Sequence, residues 1–202
     1  MQAPKEALLF IIAVPWPDPS NQQPASTTTT TTPKPNGLKL LASSPDTIRA
    51  WPGGFGYAKL GANYGPSLSA HMQATGTGFD QVLWLFGPQR EVTEAGASNF
   101  FVIWENKSTG RVEMVTAALE NQLILPGVTR RSVLDLARER FSSSAATDAG
   151  TVAGGLKPLD VIERSFTISE VEEASKEGHI IEAFVSGTAV SIHLTSPHSA
   201  VR

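Results

Sequence analysis

One lysine of this sequence lies in an unusually glycine-rich segment. Residues 51–66 read Trp-Pro-Gly-Gly-Phe-Gly-Tyr-Ala-Lys-Leu-Gly-Ala-Asn-Tyr-Gly-Pro, so Lys59 shares the segment with five glycines. Glycine has no side chain and lets a backbone approach a ligand closely. A lysine amine can condense with an aldehyde and can carry a proton in catalysis. Lys59 is therefore a candidate reactive residue, and a solvated loop lysine is the alternative.

A second segment has the features of an anion site. Residues 125–130 read Leu-Pro-Gly-Val-Thr-Arg and lie directly before an apolar pattern that predicts a helix over about Thr129–Arg140. The first backbone amides of a helix have no partner within it, and the helix dipole favours negative charge there. Gly127, Val128 and Thr129 could therefore bind a phosphate. An ordinary turn with Thr129 as the helix cap fits the same residues.

These segments resemble those of the branched-chain amino acid aminotransferases, which are fold-type IV enzymes. In that family a lysine followed by Leu-Gly-x-Asn-Tyr binds pyridoxal phosphate. Residues 93–99 are similar to the family's Thr-Glu-x-Gly-x-x-Asn signature, and they follow a strand-like Gln-Val-Leu-Trp-Leu-Phe-Gly at 81–87. Residues 186–189, Ser-Gly-Thr-Ala, resemble the segment that lines the substrate carboxylate and the phosphate. The resemblance extends from about Glu6 to Ile192.

The resemblance implies pyridoxal 5'-phosphate as the cofactor and a role for each site residue. Lys59 would form the Schiff base and then move the substrate α-proton. Glu94 would keep the pyridine nitrogen protonated, and Tyr64 would hydrogen-bond the ring oxygen; a solvated carboxylate and a core tyrosine are the alternatives. The phosphate would contact Gly127, Val128, Thr129 and Thr188. The substrate would contact Tyr64, Ala97, Gly187, Thr188 and Ala189.

Composition narrows the possible partners. A net charge of −3 and a pI of about 5.8 provide no basic surface for nucleic acid or anionic lipid. The sequence has no cysteine, and its four histidines show no metal-ligand spacing, so we expect no metal site. No stretch approaches the ~20 apolar residues of a membrane-spanning helix. We expect a cytoplasmic protein, or a mitochondrial one if a transit peptide precedes this sequence.

Short Val-, Ile- and Phe-rich runs alternate with helical patterns, which predicts an α+β (mixed α/β) fold with a largely antiparallel or mixed sheet and flanking helices. A polar connection at 106–110 predicts a hairpin. One helix should begin near Pro66 and Ser67, and another at Ser169, capped with Glu172 and ended by Gly178. The predicted strands are Leu8–Val14, Gln81–Phe86, Asn99–Trp104, Val112–Thr116, Val161–Phe166 and Ile180–Val185.

We interpret residues 1–202 as one partial domain, the large cofactor-binding domain of a class IV aminotransferase. Residues 19–37 and 142–155 have low complexity and are expected to be exposed, mobile insert loops. The family's N-terminal small domain and its closing strand and helix are absent from this sequence. We therefore expect the chain alone to be a poor catalyst, because the missing small domain would form one wall of the pocket.

The expected reaction transfers the amino group of leucine, isoleucine or valine to 2-oxoglutarate in a homodimer. Ala97 and Val190 stand where the family often has threonine and cysteine, which leaves the substrate preference open. A D-amino acid transaminase or an aminodeoxychorismate lyase of the same fold type is an alternative, as is a truncated, non-catalytic remnant. The Leu-Trp-Leu-Phe strand and the Leu-Pro-Gly-Val-Thr-Arg turn favour the branched-chain enzyme.

Overall fold

The computed structural model describes residues 6, 8–9, 11–12, 37–147, 150–188 and 193–195. The chain separates into two compact units, residues 1–33 and 34–202. In the first unit, Leu8, Leu9, Ile11 and Ile12 lie in no strand and are 73 % to 89 % exposed. The prediction of a buried strand over Leu8–Val14 is therefore wrong for the part of it that the structure describes. An apolar run becomes a strand only when it has a pairing partner, and none of the described strands pairs with it.

The second unit confirms the mixed α/β class. Within the described residues, its four α-helices are α1 (Gly61–Tyr64), α2 (Ser67–Gly76), α3 (Val128–Phe141) and α4 (Ile168–Lys176). Its described strands are β1 (Leu40–Ala42), β2 (Gln81–Phe86), β3 (Glu91–Ala95), β4 (Ser98–Glu105), β5 (Val112–Thr116), β6 (Leu159–Glu163), β7 (Ile180–Ser186) and β8 (His193–Leu194). None of the helices in the described residues is long and apolar enough to cross a membrane.

Strand β4 forms the centre of the sheet. It pairs antiparallel with β5, as the hairpin prediction requires, and with β7 on its other side. Strand β3 joins β4 at the tight turn that pairs Glu94 with Asn99, and β2 pairs with β3. Two parallel pairs, β1 with β2 and β5 with β6, make the sheet mixed. Strand β7 also pairs with β8. Thr195, which follows β8, forms a bridge with Leu38 just before β1, so the last described strand lies beside the first.

The sheet is buried on both faces. Successive residues of a strand point to opposite sides, and Phe100 and Phe101 accordingly enter two different apolar clusters. Phe101 stacks on Phe184 with ring centroids 4.7 Å apart, beneath Leu134 and Ala137 of α3. Burial on both faces explains why the β4 sequence reads as a nearly continuous apolar run.

The predicted strands differ from the observed ones mainly in their boundaries. Those for β2 and β5 match the structure at both ends, and β4 and β7 each extend beyond the prediction. The prediction for Val161–Phe166 is wrong at both ends, because β6 stops at Glu163 and Phe166 packs against Phe100 from the following loop. Strands β1, β3 and β8 were not predicted.

The predicted insert loop at 142–155 contains some local structure. Its described residues form two short 3-10 turns, and Val152 is buried.

The capping box of α4 lies two residues earlier than predicted. Thr167 accepts a hydrogen bond from the Glu170 amide at 3.2 Å, and the Glu170 carboxylate accepts one from the Thr167 amide at 2.7 Å. The Ser169 and Glu172 pattern has the same spacing, but only a start at Thr167 places Ile168 in the helix, where it is buried in the core with Val171. Gly178 follows the helix with a φ of 76°, as expected.

We expect Thr167→Ala to lower the free energy of unfolding by about 1 kcal/mol, because the first turn of α4 loses its side-chain acceptor. Urea denaturation of the chain measures this loss. Ser169→Ala is the matched control, since Ser169 is an exposed helical residue. An equal loss in both variants would contradict the observed helix start.

Candidate active site

A cavity of about 300 Å³ lies where the chemistry-bearing segments of the sequence meet. Eight of the ten predicted site residues line it: Lys59, Glu94, Ala97, Gly127, Val128, Thr129, Gly187 and Thr188. Tyr64 adjoins the cavity through its contact with Lys59. Ala189 lies outside the described residues. The fold therefore brings together four segments that are far apart in the sequence.

Lys59 is exposed and directly precedes the short helix α1. Its Nζ atom lies 5.4 Å from the centre of the Tyr64 ring, within the range of a cation–π contact, and Tyr64 itself is half-buried. The Asn63 side-chain amide holds the loop by donating to the carbonyl of Phe55 at 2.7 Å and to that of Ala58 at 2.9 Å. Asn63 thus fixes the loop, and Tyr64 contacts the amine of Lys59.

Gly56 explains part of the glycine content of this loop. A Cβ atom at this position would lie 2.6 Å from the Cβ of Ala50 and 2.8 Å from the carbonyl oxygens of Gln122 and Leu123. Such contacts are too short for any side chain. The absence of a side chain therefore lets the lysine loop pack directly on the segment that leads to the 125–130 turn.

Glu94 is buried, with 1 % of its surface exposed, so it is not a solvated loop carboxylate. Its Oε1 accepts hydrogen bonds from the Leu125 amide at 2.8 Å and from the Asn99 side chain at 3.2 Å. Its Oε2 lies 2.9 Å from Nη2 of Arg49, yet this ion pair lacks hydrogen-bond geometry. Oε2 therefore has no hydrogen-bond donor among the described residues. It can accept one from a ligand.

Burial raises the pKa of Glu94 to about 7, from an ordinary value of 4.5. The positive charge of Arg49, the hydrogen bond from Leu125 and the positive charge of Lys59 act in the opposite direction, in that order. The loss of water around the buried carboxyl outweighs these three effects, so the pKa of Glu94 stays raised. The charge state of Glu94 thus depends on its two cationic neighbours at neutral pH.

The start of α3 forms the opposite wall of the cavity. Gly127 is the N-cap, and no described side chain caps the helix, so the cap that was considered for Thr129 is not formed. A Cβ atom on Gly127 would lie 2.3 Å from Oδ1 of Asn99, so only glycine fits this contact. Arg130 anchors the turn from behind by donating to the Ala117 carbonyl at 2.8 Å and to Glu163 at 2.7 Å. The first amides of α3 thus remain available to an anion.

The 186–188 segment completes the cavity. Ser186, at the end of β7, is buried, and its hydroxyl has no hydrogen-bond partner in the described part of the chain. Thr188 is exposed and Gly187 is half-buried. Ala97 is exposed in the turn between β3 and β4. These residues lie where a ligand in the cavity would contact them.

Two residues of the site were missed by sequence reasoning. Asn99 belongs to the quoted signature but received no role, although its amide bonds both Glu94 and the Leu125 carbonyl, the latter at 2.9 Å. Arg49 precedes the glycine-rich segment, between Ile48 and Ala50. A charged residue in such an apolar setting is the available signal, but its partner is 45 positions away.

Comparison with known proteins gives the family of this chain. The family model for amino-transferase class IV matches residues 3–193. The chain belongs to this family. The resemblance is thereby confirmed at the level of the aminotransferase class, and with it the fold-type IV architecture.

Relatives within the family carry more specific names. The chain is 47 % identical to the cytosolic branched-chain-amino-acid aminotransferase of Saccharomyces cerevisiae over 75 % of its length and 37 % of the yeast protein. It is 37 % identical to the Dictyostelium discoideum branched-chain-amino-acid aminotransferase over 94 % of its length and 42 % of that protein. A solved branched-chain aminotransferase mutant from Thermobaculum terrenum matches with a TM-score of 0.58 and 26 % identity, covering 82 % of this chain and 43 % of that one. The chain thus spans about two-fifths of the length of these relatives.

Proposed function

We propose that this chain is the cofactor-binding part of a branched-chain amino acid transaminase that holds pyridoxal phosphate on Lys59. The observation that carries the proposal is one cavity lined by an amine, a buried carboxylate and an uncapped helix start. These are the groups that an aldehyde, a protonated pyridine nitrogen and a phosphate require. The names of the relatives supply the substrate class, branched-chain amino acids, and we propose leucine, isoleucine or valine as the donor with 2-oxoglutarate as the acceptor.

The residues present fit the cofactor. The Oε2 atom of Glu94 has no hydrogen-bond donor in the described part of the chain, and a pyridine N–H would provide one. Gly127 leaves no side chain between the cavity and the first amides of α3, where Val128 and Thr129 would bind the phosphate together with Thr188. Tyr64 lies beside the lysine and would donate to the ring oxygen.

When bound, the cofactor supplies an electron sink for the substrate carbon that loses its proton. The protein's part is binding and proton transfer. The Lys59 amine would bind the cofactor aldehyde, and as a free amine it would accept the substrate α-proton and return it. Glu94 in its ionised form would hold a proton on the pyridine nitrogen, and the charge of Arg49 and the amide of Leu125 favour that form.

The substrate would lie against the face of the cavity formed by the two short loops. We assign its contacts to Tyr64, Ala97, Gly187, Thr188 and Ala189. The relatives reported above are all named for branched-chain amino acids, which favours this substrate class over the D-amino acid transaminase and lyase alternatives. In a non-catalytic remnant, the Lys59 amine would not react with pyridoxal phosphate.

The assembly we infer is a homodimer, which the exposed apolar side chains near the lysine loop and on α2 support. Trp51 and Phe55 are 55 % and 57 % exposed, and Leu68 and Met72 are 60 % and 64 % exposed. Exposed apolar groups of this size favour contact with a partner. Yeast has both a cytosolic and a mitochondrial relative, and we propose the cytoplasm for this chain.

Borohydride reduction followed by peptide mapping tests the assignment of Lys59. The chain is incubated with pyridoxal phosphate and reduced, and the labelled lysine is identified by mass spectrometry. We expect the label on Lys59, because among the lysines in the described residues it alone lines the cavity. Label on Lys39, Lys107 or Lys157 instead would contradict the proposal.

A further inference from the structure

Arg49 lies buried beneath the cavity and contacts three segments of the site. Its side chain is 3 % exposed. Its Nη1 donates to the Leu123 carbonyl at 3.1 Å, and both terminal nitrogens lie 3.5 Å from the Gly56 carbonyl. Its Nη2 lies 2.9 Å from Oε2 of Glu94. One guanidinium therefore joins the lysine loop, strand β3 and the segment that leads to α3.

A buried guanidinium is costly unless an ion or several acceptors compensate it. Arg49 has two backbone carbonyls and a single carboxylate, Glu94, and that carboxylate is buried as well. Glu94 receives neutral donors from Leu125 and Asn99, so Arg49 is its direct ionic partner. The pair accounts for why the pKa of Glu94 rises no further than about 7 at this depth.

We propose that Arg49 is a positioning residue of the cofactor site, which keeps Glu94 ionised and holds its carboxylate in line with the turn before α3. The proposal rests on the proposed function, since Glu94 matters here as the partner of the pyridine nitrogen. An ionised carboxylate accepts a hydrogen bond from a protonated pyridine nitrogen, and its charge favours that protonation. A protonated carboxyl instead presents its own O–H and has no such charge.

The charged groups that face Glu94 support this assignment. Arg49 and Lys59 are the two cations whose charges lower the pKa of Glu94, and Arg49 has the larger effect. From β4 and from the segment before α3, the groups that donate to Glu94 are two neutral ones, the Asn99 side-chain amide and the Leu125 backbone amide. In the proposed function Lys59 binds the cofactor, so Arg49 is the cation that remains dedicated to Glu94.

The test compares Arg49→Met with Arg49→Lys in the 202-residue chain. Without cofactor, the infrared C=O band of protonated carboxyls above pH 6 reports Glu94, because ordinary carboxyls are ionised there, and the band is assigned by its loss in Glu94→Gln. We expect this band to titrate near pH 7 in the wild-type chain, at least one pH unit higher in Arg49→Met, and near its wild-type position in Arg49→Lys. We also expect Arg49→Met to weaken pyridoxal phosphate binding at least tenfold at pH 7.5.

The control is Arg131→Met, because Arg131 is an exposed arginine of α3 whose ion pair is with Asp135, one helical turn away. It should change neither measurement. If Arg49→Met fails to fold, the proposal requires Arg49→Met/Glu94→Gln to fold better, since that variant removes both charges. A double variant that is no more stable than Arg49→Met would overturn it.

Two outcomes separate this inference from the proposed function. If the wild-type chain binds no pyridoxal phosphate but its Glu94 band shifts in Arg49→Met, the proposed function fails and the ion-pair role stands. If the cofactor binds to Lys59 but the band is unchanged in Arg49→Met, or stays protonated to pH 9 in the wild-type chain, the role of Arg49 is wrong.

Discussion

Lys59→Ala is expected to lower leucine transamination at least about a thousandfold, since it removes both the covalent anchor of the cofactor and the group that moves the α-proton. A suitable protein is a chimera in which residues 37–202 replace the matching segment of the yeast cytosolic relative. Turnover with leucine and 2-oxoglutarate measures the loss. The cofactor should also dissociate on gel filtration, because no other amine lines the cavity in the part of the chain that the structure describes.

Lys157→Ala is the control for this variant, because the Lys157 side chain is 74 % exposed and lies outside the cavity. It should retain the wild-type turnover. Added methylamine should restore part of the activity of Lys59→Ala if the missing group is a proton carrier. Turnover in Lys59→Ala above a tenth of the wild-type value would remove Lys59 from the mechanism.

Glu94→Gln is expected to lower turnover about a hundredfold in the same chimera, which is the usual effect of losing one preorganised electrostatic partner. Glutamine keeps the side-chain volume and can still accept from Leu125 and Asn99, but it cannot hold a proton on the pyridine nitrogen. The change also leaves Arg49 without its counter-ion, so we expect the melting temperature to fall as well. Turnover must therefore be expressed per folded protein.

Glu113→Gln is the matched control for Glu94→Gln. Glu113 is also a buried carboxylate, but it accepts from Trp104 at 3.1 Å and from Asn106 at 2.7 Å, and it does not line the active-site cavity. It should lower stability without lowering the turnover of the folded protein. Equal turnover losses in the two variants would show that burial of a carboxylate, and not contact with the cofactor, explains the effect.

The two strands that matched the sequence prediction have mostly apolar residues. Five of the six residues of Gln81–Phe86 and three of the five of Val112–Thr116 are apolar, and both strands were predicted at their observed bounds. Strand β3 was missed because its residues Thr93 and Glu94 are polar yet buried, through contacts with partners elsewhere in the fold. Local pattern cannot show such partners.

The start of α4 shows the same limit at a smaller scale. Two Ser/Thr-x-x-Glu patterns overlap with an offset of two residues, and each could cap a helix. The core selects the one at Thr167, since it buries Ile168 and Val171. Capping contributes about 1 kcal/mol, whereas full burial of one such side chain contributes roughly 1.5–3 kcal/mol.

The sequence by itself determined the family of this protein and the residue types that the proposed chemistry needs. Lys59 among its glycines, Glu94 in its signature and the 125–130 turn were recognisable because each motif is local and its residue types are required by the ligand group it would bind. Only the tertiary structure decided the environment of those groups. It buried Glu94, left its Oε2 without a hydrogen-bond donor from any residue that the structure describes, and placed Arg49 beside it from a segment 45 positions earlier. Burial and long-range ion pairs set pKa values and geometry, and both depend on which segments the fold brings together.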